Sequence, residues 1–518
     1  MIKNPVLTGF HPDPSMIYVD GTFYIANSTF EYFPGVSISK SKDLANWESV
    51  PSPLNSPDML DMRGNPQSGG IWAPCLTYSD GYFYLVFTDV KTWAFGPFKD
   101  TFNYVTKAPS IEGPWSKPVF INSSGFDPSL FHDDDGRKYM VNMEWDYRKK
   151  GDDQFTGILL TEIDPVTLNP ISSPVKIFTG TERGLTEGPH LYKINGYYYL
   201  ITAEGGTSYE HAMTAARSKN IKGPYQVHPN KHLVSSKGHL ESYLKKAGHG
   251  SICSSADGRW WCAFLCGRPI DESMRCPLGR ETSVQEIIWK DDWPYLKDGG
   301  MVPKAEFEGY GYKKEKKIYY YKFNDNDYKL DFMSLRVPAE YEILNDGILR
   351  LYGKDSLIST HNQNMLVRRQ TDFSFQAETC VKASFSSFQQ MAGLLYRYNE
   401  ENQYYLRVSY DEEKKQSCLG VLVFDNKNFF MPLQEEIPIE GEKVYLRLTV
   451  REISGEFSYS TDNSKWYTIP YKIDVRKLSD EYAEPMGFTG AFTGISCQDM
   501  IYGKSYADFY YFKYMILD

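Results

Sequence analysis

The sequence predicts an all-β chain in two parts: a five-bladed β-propeller followed by a β-sandwich of jelly-roll, lectin-like type. Three observations predict it. Aromatic residues make up 15% of the 518 residues, and with 40 Gly and 29 Pro this composition favours strands and tight turns over helices. A hairpin motif recurs five times, its turn Asp or Asn falling at 20, 80, 135, 195 and 257, in steps of 60, 55, 60 and 62 residues. After Trp293-Pro294 the repeat stops, and strand-like stretches with different spacing follow. The length agrees with two domains, since a single core stops growing near ~250–300 residues.

The elements follow in order. Each repeat has a short apolar strand, an Asp-Gly or Asn-Gly turn that supplies positive φ, and an aromatic strand. A weaker repeat lies between: Ser41-Lys42-Asp43-Leu44 leads to Trp47, Ser110 to Pro114 leads to Trp115, and Ser218 to Pro224 leads to Tyr225. Each unit therefore holds two hairpins, and four-stranded units repeated radially make a propeller, here over residues 1–300. Residues 301–317, with Pro303, Gly309, Gly311 and the run Lys313-Lys314-Glu315-Lys316-Lys317, read as a linker. Over 318–518, alternating apolar and polar residues, as in Gln403 to Tyr410 and Lys443 to Val450, predict strands with one face in a core. About 200 residues of such strands suit a sandwich.

Composition excludes several function classes. A net charge of −10 argues against a nucleic-acid backbone or an anionic membrane surface as partner and suits a neutral substrate. No run of 18 or more apolar residues offers a membrane-spanning helix. The first residues, Met1-Ile2-Lys3-Asn4-Pro5, lack the apolar core of a signal peptide, so a cytoplasmic location is expected. Eight cysteines with no CxxC pair carry no zinc-ribbon signal and are expected as free, buried thiols.

The chemistry concentrates at one place in the repeat. Seven or eight residues before each turn stand Asp13, Trp72, Asp127, Glu187 and His249. If the strands they open are innermost, all five point at the axis from one rim. Three are acids, at a position where core-facing strands are normally apolar, and buried acids are costly unless paired or used. Capping or turn bonding accounts for one such acid more easily than for three. Three carboxyls around a small pit suit glycosidic bond cleavage, which needs a proton donor and a base or nucleophile on opposite faces of the sugar. Blades 3 and 4 are neighbours, so Asp127 and Glu187 form a close pair in which one carboxyl stays protonated, while Asp13 faces them across the axis and activates water. That gap favours inversion. Trp72 is expected on the pit wall, His249 completes the polar ring, and Arg280 is placed to offset the acids.

At these residues the chain resembles glycoside hydrolase family 43, in particular its two-domain β-xylosidases, over nearly its whole length. The motifs are Asn4-PVLTGFHPDPS, Ser28-TFEYFPGV, Gly69-GIWAPCL, Ser124-GFDPSLF, Leu185-TEGPHLYK, Ala203-EGGTSYEHA, Ala247-GHGS, Leu278-GRETS and Gly487-FTGAFTG. The resemblance implies an exo-acting, inverting hydrolase that frees xylose from short xylo-oligosaccharides. It implies Asp13 as general base, Glu187 as general acid, and Asp127 as the residue that tunes and orients the acid. It places Phe30, Trp72, His249 and Arg280 around the terminal sugar, and Phe492, from the sandwich, as a residue that closes the pocket. Without the resemblance Phe492 reads as core.

Many relatives carry His where this chain has Cys75 and Trp where it has Tyr32, which leaves the aglycone side less defined than the reaction. Some relatives bind a divalent cation, often calcium, near the position of His249, but no acidic calcium loop stands in the sequence, so no cofactor is expected to be required. Relatives also form dimers or tetramers, so a homodimer or homotetramer is a further expectation of the resemblance. The rival readings are an α-L-arabinofuranosidase using the same acids, an invertase-like retaining propeller, whose Asn-Asp-Pro-Asn motif is missing, and a non-catalytic sugar-binding propeller.

Overall fold

The structure, a computed structural model, describes residues 1–93 and 98–518. The chain divides into two compact units. The first holds 1–31, 35–268 and 280–314, and the second holds 32–34, 269–279 and 315–518. The division after 314 falls inside the stretch read as a linker. Two short segments, Tyr32–Pro34 and Pro269–Gly279, belong with the second unit, which a count along the chain does not foresee.

The first unit is a five-bladed propeller of four-stranded antiparallel sheets. Its inner strands are Ser15–Val19, Gly70–Ser79, Ser129–His132, Glu187–Ile194 and Lys245–Ser254, and each touches the inner strand of the next blade around a closed ring. The first hairpins explain the repeat. In blades 1, 2 and 4 the strands join through two residues, Asp20-Gly21, Asp80-Gly81 and Asn195-Gly196, all at positive φ as a type I′ turn requires. In blades 3 and 5 the loop is one residue longer, closed by Asp133 N–H to Arg137 O and by Ser255 N–H to Arg259 O, both 2.9 Å.

The weaker repeat marks turns between third and fourth strands. There Trp47 Nε1 donates to Leu44 O (3.0 Å), Trp115 Nε1 to Ile111 O (3.1 Å) and the Tyr225 hydroxyl to Ile221 O (2.9 Å). The N-terminal segment closes the ring: Val6 N–H donates to Thr282 O and His11 N–H to Arg280 O, at 2.9 and 2.8 Å. Residues 301–314 lie along this unit. Ile2–Lys3 pair with Glu306–Phe307, and the Tyr310 ring packs 5.5 Å from Trp261.

The second unit is a sandwich of two antiparallel sheets. Tyr341–Ile343, Leu349–Tyr352, Tyr506–Ile516, Phe375–Ala383, Val444–Arg451, Ser454–Ser460 and Tyr467–Asp474 lie side by side in one. The other includes Gln416–Asp425, Asn402–Asp411, Gln390–Arg397, Phe492–Asp499 and Met365–Arg369. Leu394, Tyr396, Leu406, Val421, Leu446, Phe512 and Tyr514 meet in its core. Tyr32–Phe33 joins its edge by pairing with Ser334–Leu335. Among the described residues the α-helix is confined to Tyr328–Asp331, so no helix is long enough to cross a membrane.

Candidate active site

The starts of the inner strands carry the site. At each blade one residue there adopts a left-handed backbone: Asp13 (φ 52°), Ala73 (34°), Asp127 (56°), Gly188 (55°) and His249 (23°). Proline follows in four of the five, and in blades 2, 4 and 5 the register with the second strand slips at this point. These are bulges that turn a side chain out of the regular pleat, and asparagine-like or glycine residues tolerate them best.

This corrects the sequence alignment. Counted from the turn Asp or Asn, Asp13 stands seven residues back, whereas Trp72 and Glu187 stand eight back, level with Asp127 and His249. By backbone they sit one residue earlier, because the two-residue turns of blades 2 and 4 are shorter than those of blades 3 and 5. Gly188 shows why blade 4 carries its acid on the preceding residue: a Cβ at 188 would lie 2.8 Å from Nε2 and 2.9 Å from Cε1 of His249.

Asp13 is buried and held on both oxygens. Oδ1 accepts from Arg280 Nη1 at 2.8 Å and faces His249 Nδ1 at 3.7 Å, and Oδ2 accepts from the Ser28 hydroxyl at 2.6 Å. Ser28 in turn accepts the Ala73 N–H at 2.7 Å. Burial works to raise the proton affinity of Asp13, but the charges of Arg280 and His249 and the Ser28 bond outweigh it, so its carboxyl lies below the usual aspartate range.

Asp127 and Glu187 go the other way. The Asp127 Oδ2 accepts the Gly188 N–H at 3.1 Å, which ties the two acids together. Burial, then repulsion from Glu187 and Asp13, push Asp127 well above the usual range. Burial and then the charge of Asp13 push Glu187 up to about 8, against the pull of Arg280 and Lys99. At neutral pH Asp13 is therefore held ionised and Glu187 protonated, the division of labour that acid–base cleavage needs, and Asp127 is pushed toward its protonated form.

Aromatic rings wall this group. Phe30, itself at φ 51°, bridges to Ile71 and lies 5.4 Å from the Arg280 guanidinium. Its ring stands 5.7 Å from Phe10 and 5.9 Å from Trp72, and Trp72 continues to Phe126 at 5.3 Å. Such pairs are worth about 0.5–1.5 kcal/mol each beyond burial. Trp72 Nε1 donates to Ser68 O at 2.8 Å, which fixes the indole. Phe30, Trp72, His249 and Arg280 thus gather with the three acids in the propeller. Phe492 belongs to the second unit, where it is buried and stacks on Tyr32 with ring centres 3.9 Å apart.

Sequence reasoning missed three residues here. Ser28 stands inside a motif but its link between Asp13 and blade 2 is spatial. Lys99 lies 4.1 Å over the Trp145 ring, and burial lowers its amine to about 8 while its charge reaches Glu187. Glu204 accepts from the Thr181 N–H (2.7 Å), Thr186 Oγ1 (3.1 Å) and Thr214 Oγ1 (2.8 Å) and so anchors the loop that leads into Glu187. Among the described residues no group of three or more His, Cys, Asp or Glu could hold a metal ion.

A five-bladed propeller with one carboxylate held ionised beside two buried carboxyls of raised proton affinity, walled by aromatic rings, defines a glycosidase-type hydrolase. The comparisons narrow this. Residues 2–294 match the glycosyl hydrolases family 43, and residues 321–515 match the beta xylosidase C-terminal concanavalin A-like domain. The chain belongs to glycosyl hydrolases family 43. It is 45% identical to a Bacillus subtilis beta-xylosidase over 99% of both chains. It is 46% identical to a Humicola insolens protein named xylosidase/arabinosidase 43B, over 99% of this chain and 97% of that one. Among solved structures, a xylan beta-1,4-xylosidase from Bacillus halodurans superposes with a TM-score of 0.93 at 45% identity, over 99% of this chain and all of that one.

Proposed function

We propose that the protein is an exo-acting, inverting β-xylosidase that releases xylose from the non-reducing end of short β-1,4-xylo-oligosaccharides. One observation carries the reading: Asp13 is held ionised by Arg280, His249 and Ser28, burial and the Asp13 charge keep Glu187 protonated, and Asp127 is pushed in the same direction as Glu187. In this reading the Asp13 carboxylate takes a proton from water as the water oxygen bonds to the anomeric carbon. Glu187 gives its proton to the glycosidic oxygen as the carbon–oxygen bond breaks. Asp127 orients Glu187 through the Gly188 N–H, while burial and the Asp13 charge keep Glu187 protonated. Phe30, Trp72 and Arg280 form the wall for the terminal sugar.

The family and the relatives named as β-xylosidases support the substrate class. A second reading, a dual xylosidase/arabinofuranosidase, is favoured by the relative named for both activities. Hydrolysis of nitrophenyl β-xyloside against nitrophenyl α-arabinofuranoside decides between them. A kcat/KM higher on the xyloside is expected, and higher turnover of the arabinofuranoside would replace the proposal with the second reading.

A further inference from the structure

Beneath the acids lies a second feature that the reaction does not use. A cavity of about 540 Å3 is lined by the inner strands of all five blades. The inward-facing residues two or three positions after Asp13, Trp72, Asp127 and Glu187 form its inner end: Ser15, Cys75, Ser129 and His190. Further along it stand Tyr192 and Cys253. Its lining therefore offers thiols and imidazole beside hydroxyls, although the propeller around it is built from aliphatic and aromatic strands.

Cys75 Sγ and His190 Nδ1 face each other at 3.8 Å, both side chains buried. A tetrahedral ion with a metal–sulfur bond of about 2.3 Å and a metal–nitrogen bond of about 2.0–2.1 Å holds its sulfur and nitrogen about 3.5–3.6 Å apart. The pair thus needs only a small swing to act as a chelate. The Ser129 hydroxyl, 2% exposed and on the lining, has no hydrogen-bond partner in the protein, so a polar occupant is called for at this depth. The space leaves room for water on the ion's remaining positions.

We propose that this axial cavity binds one thiophilic divalent cation, of the zinc or cadmium type, on Cys75 and His190, with water completing its shell. Thiolate and imidazole select such ions over the oxygen-seeking calcium and magnesium. Binding breaks the S–H bond of Cys75, forms a metal–sulfur bond and releases the proton to solvent. With two protein ligands the site is a reversible, inhibitory one rather than a structural centre. The ion would sit one layer below the acids on the same strands. Its charge there favours ionised Glu187, the form that cannot donate a proton, so turnover falls as the site fills. This inhibitory consequence rests on the proposed role of Glu187, while the binding itself does not.

Titration of the full chain, with its thiols kept reduced, against cadmium alone tests both. The near-ultraviolet absorption of cadmium–thiolate bonds reads binding, and hydrolysis of an aryl xyloside is followed in parallel. Expected are a band that saturates at one equivalent and loss of turnover with the same midpoint. Cys75→Ala removes the band and keeps its turnover in cadmium, with basal turnover unchanged. His190→Asn raises the midpoint by at least about tenfold, since even outer-shell partners of a metal are worth that much, and Cys253→Ala leaves it in place. No band, an undiminished band in Cys75→Ala, or an unmoved midpoint in His190→Asn would overturn the site. A normal band with unaffected turnover would overturn the inhibition. Absence of glycosidase turnover in the metal-free protein would count against the proposed function while the absorbance titration still judges the site.

Discussion

Replacing Ser28 with Ala tests the electrostatic argument most sharply, because the residue has no place in bond making. Its hydroxyl donates to Asp13 Oδ2 at 2.6 Å and accepts the Ala73 N–H at 2.7 Å, fully buried. The substitution removes one of the four influences, with Arg280, His249 and His211, that keep Asp13 ionised against burial. A hydrogen bond to a charged group is worth about 1.5–3 kcal/mol, and about 1.4 kcal/mol moves a titration by one pH unit. Asp13 must be ionised to act as base, so activity is present above its titration and lost as pH falls through it. Raising that titration shifts the acid limb of the kcat/KM profile upward by about one to two pH units. The basic limb, set by Glu187, should stay near pH 8. Leaving the Ala73 N–H unpaired also costs about 1–3 kcal/mol of stability, which thermal unfolding would register. Ser28→Thr, which keeps a hydroxyl, should restore the limb. A folded Ser28→Ala enzyme with an unmoved acid limb would refute the reasoning.

Other outcomes follow from the same geometry. Asp13→Asn should lower kcat by about 10²–10⁴-fold while calorimetry still detects xylose binding. Glu187→Ala should slow substrates with poor leaving groups far more than nitrophenyl ones, and should abolish the loss of activity that accompanies rising pH through about 8 in the parent protein. Lys99→Met removes a cation that pulls Glu187 down, so the basic limb should move above pH 8, as rate profiles on an aryl xyloside would show. Gly188→Ala places a methyl 2.8 Å from the His249 ring at φ +55°, and should cost about 2–5 kcal/mol by thermal unfolding together with most of the activity.

Much of this was legible in the chain because repetition turns local signals into global ones. One Asp-Gly turn predicts a hairpin, whereas five at near-constant spacing predict a ring, and the ring brings Asp13, Asp127 and Glu187 together. What the repeat did not reveal were differences of one residue. The turns of blades 3 and 5 are longer than the others, and that difference displaced Trp72 and Glu187 in an alignment anchored on the turns. The assignment of Tyr32–Pro34 and Pro269–Gly279 to the second unit was equally hidden, since each is a short excursion from the propeller's strands. Ser28 faces Asp13 across the open end of its own hairpin and Lys99 acts from blade 2 on Glu187 of blade 4, and the spacing of the turns marks neither partner. Residues 301–314 read as a linker by composition, yet Phe307 and Tyr310 pack on the propeller, because two aromatic anchors outweigh a background of lysine and glycine.

The central claim is that water, activated by Asp13, attacks from the face opposite the proton donor Glu187. Proton NMR of the first xylose released from an aryl β-xyloside, recorded faster than the sugar mutarotates, tests it directly. The account predicts the α-anomer as the initial product. Initial appearance of the β-anomer would contradict it, since retention requires a covalent intermediate that an ionised Asp13 acting only on water does not form.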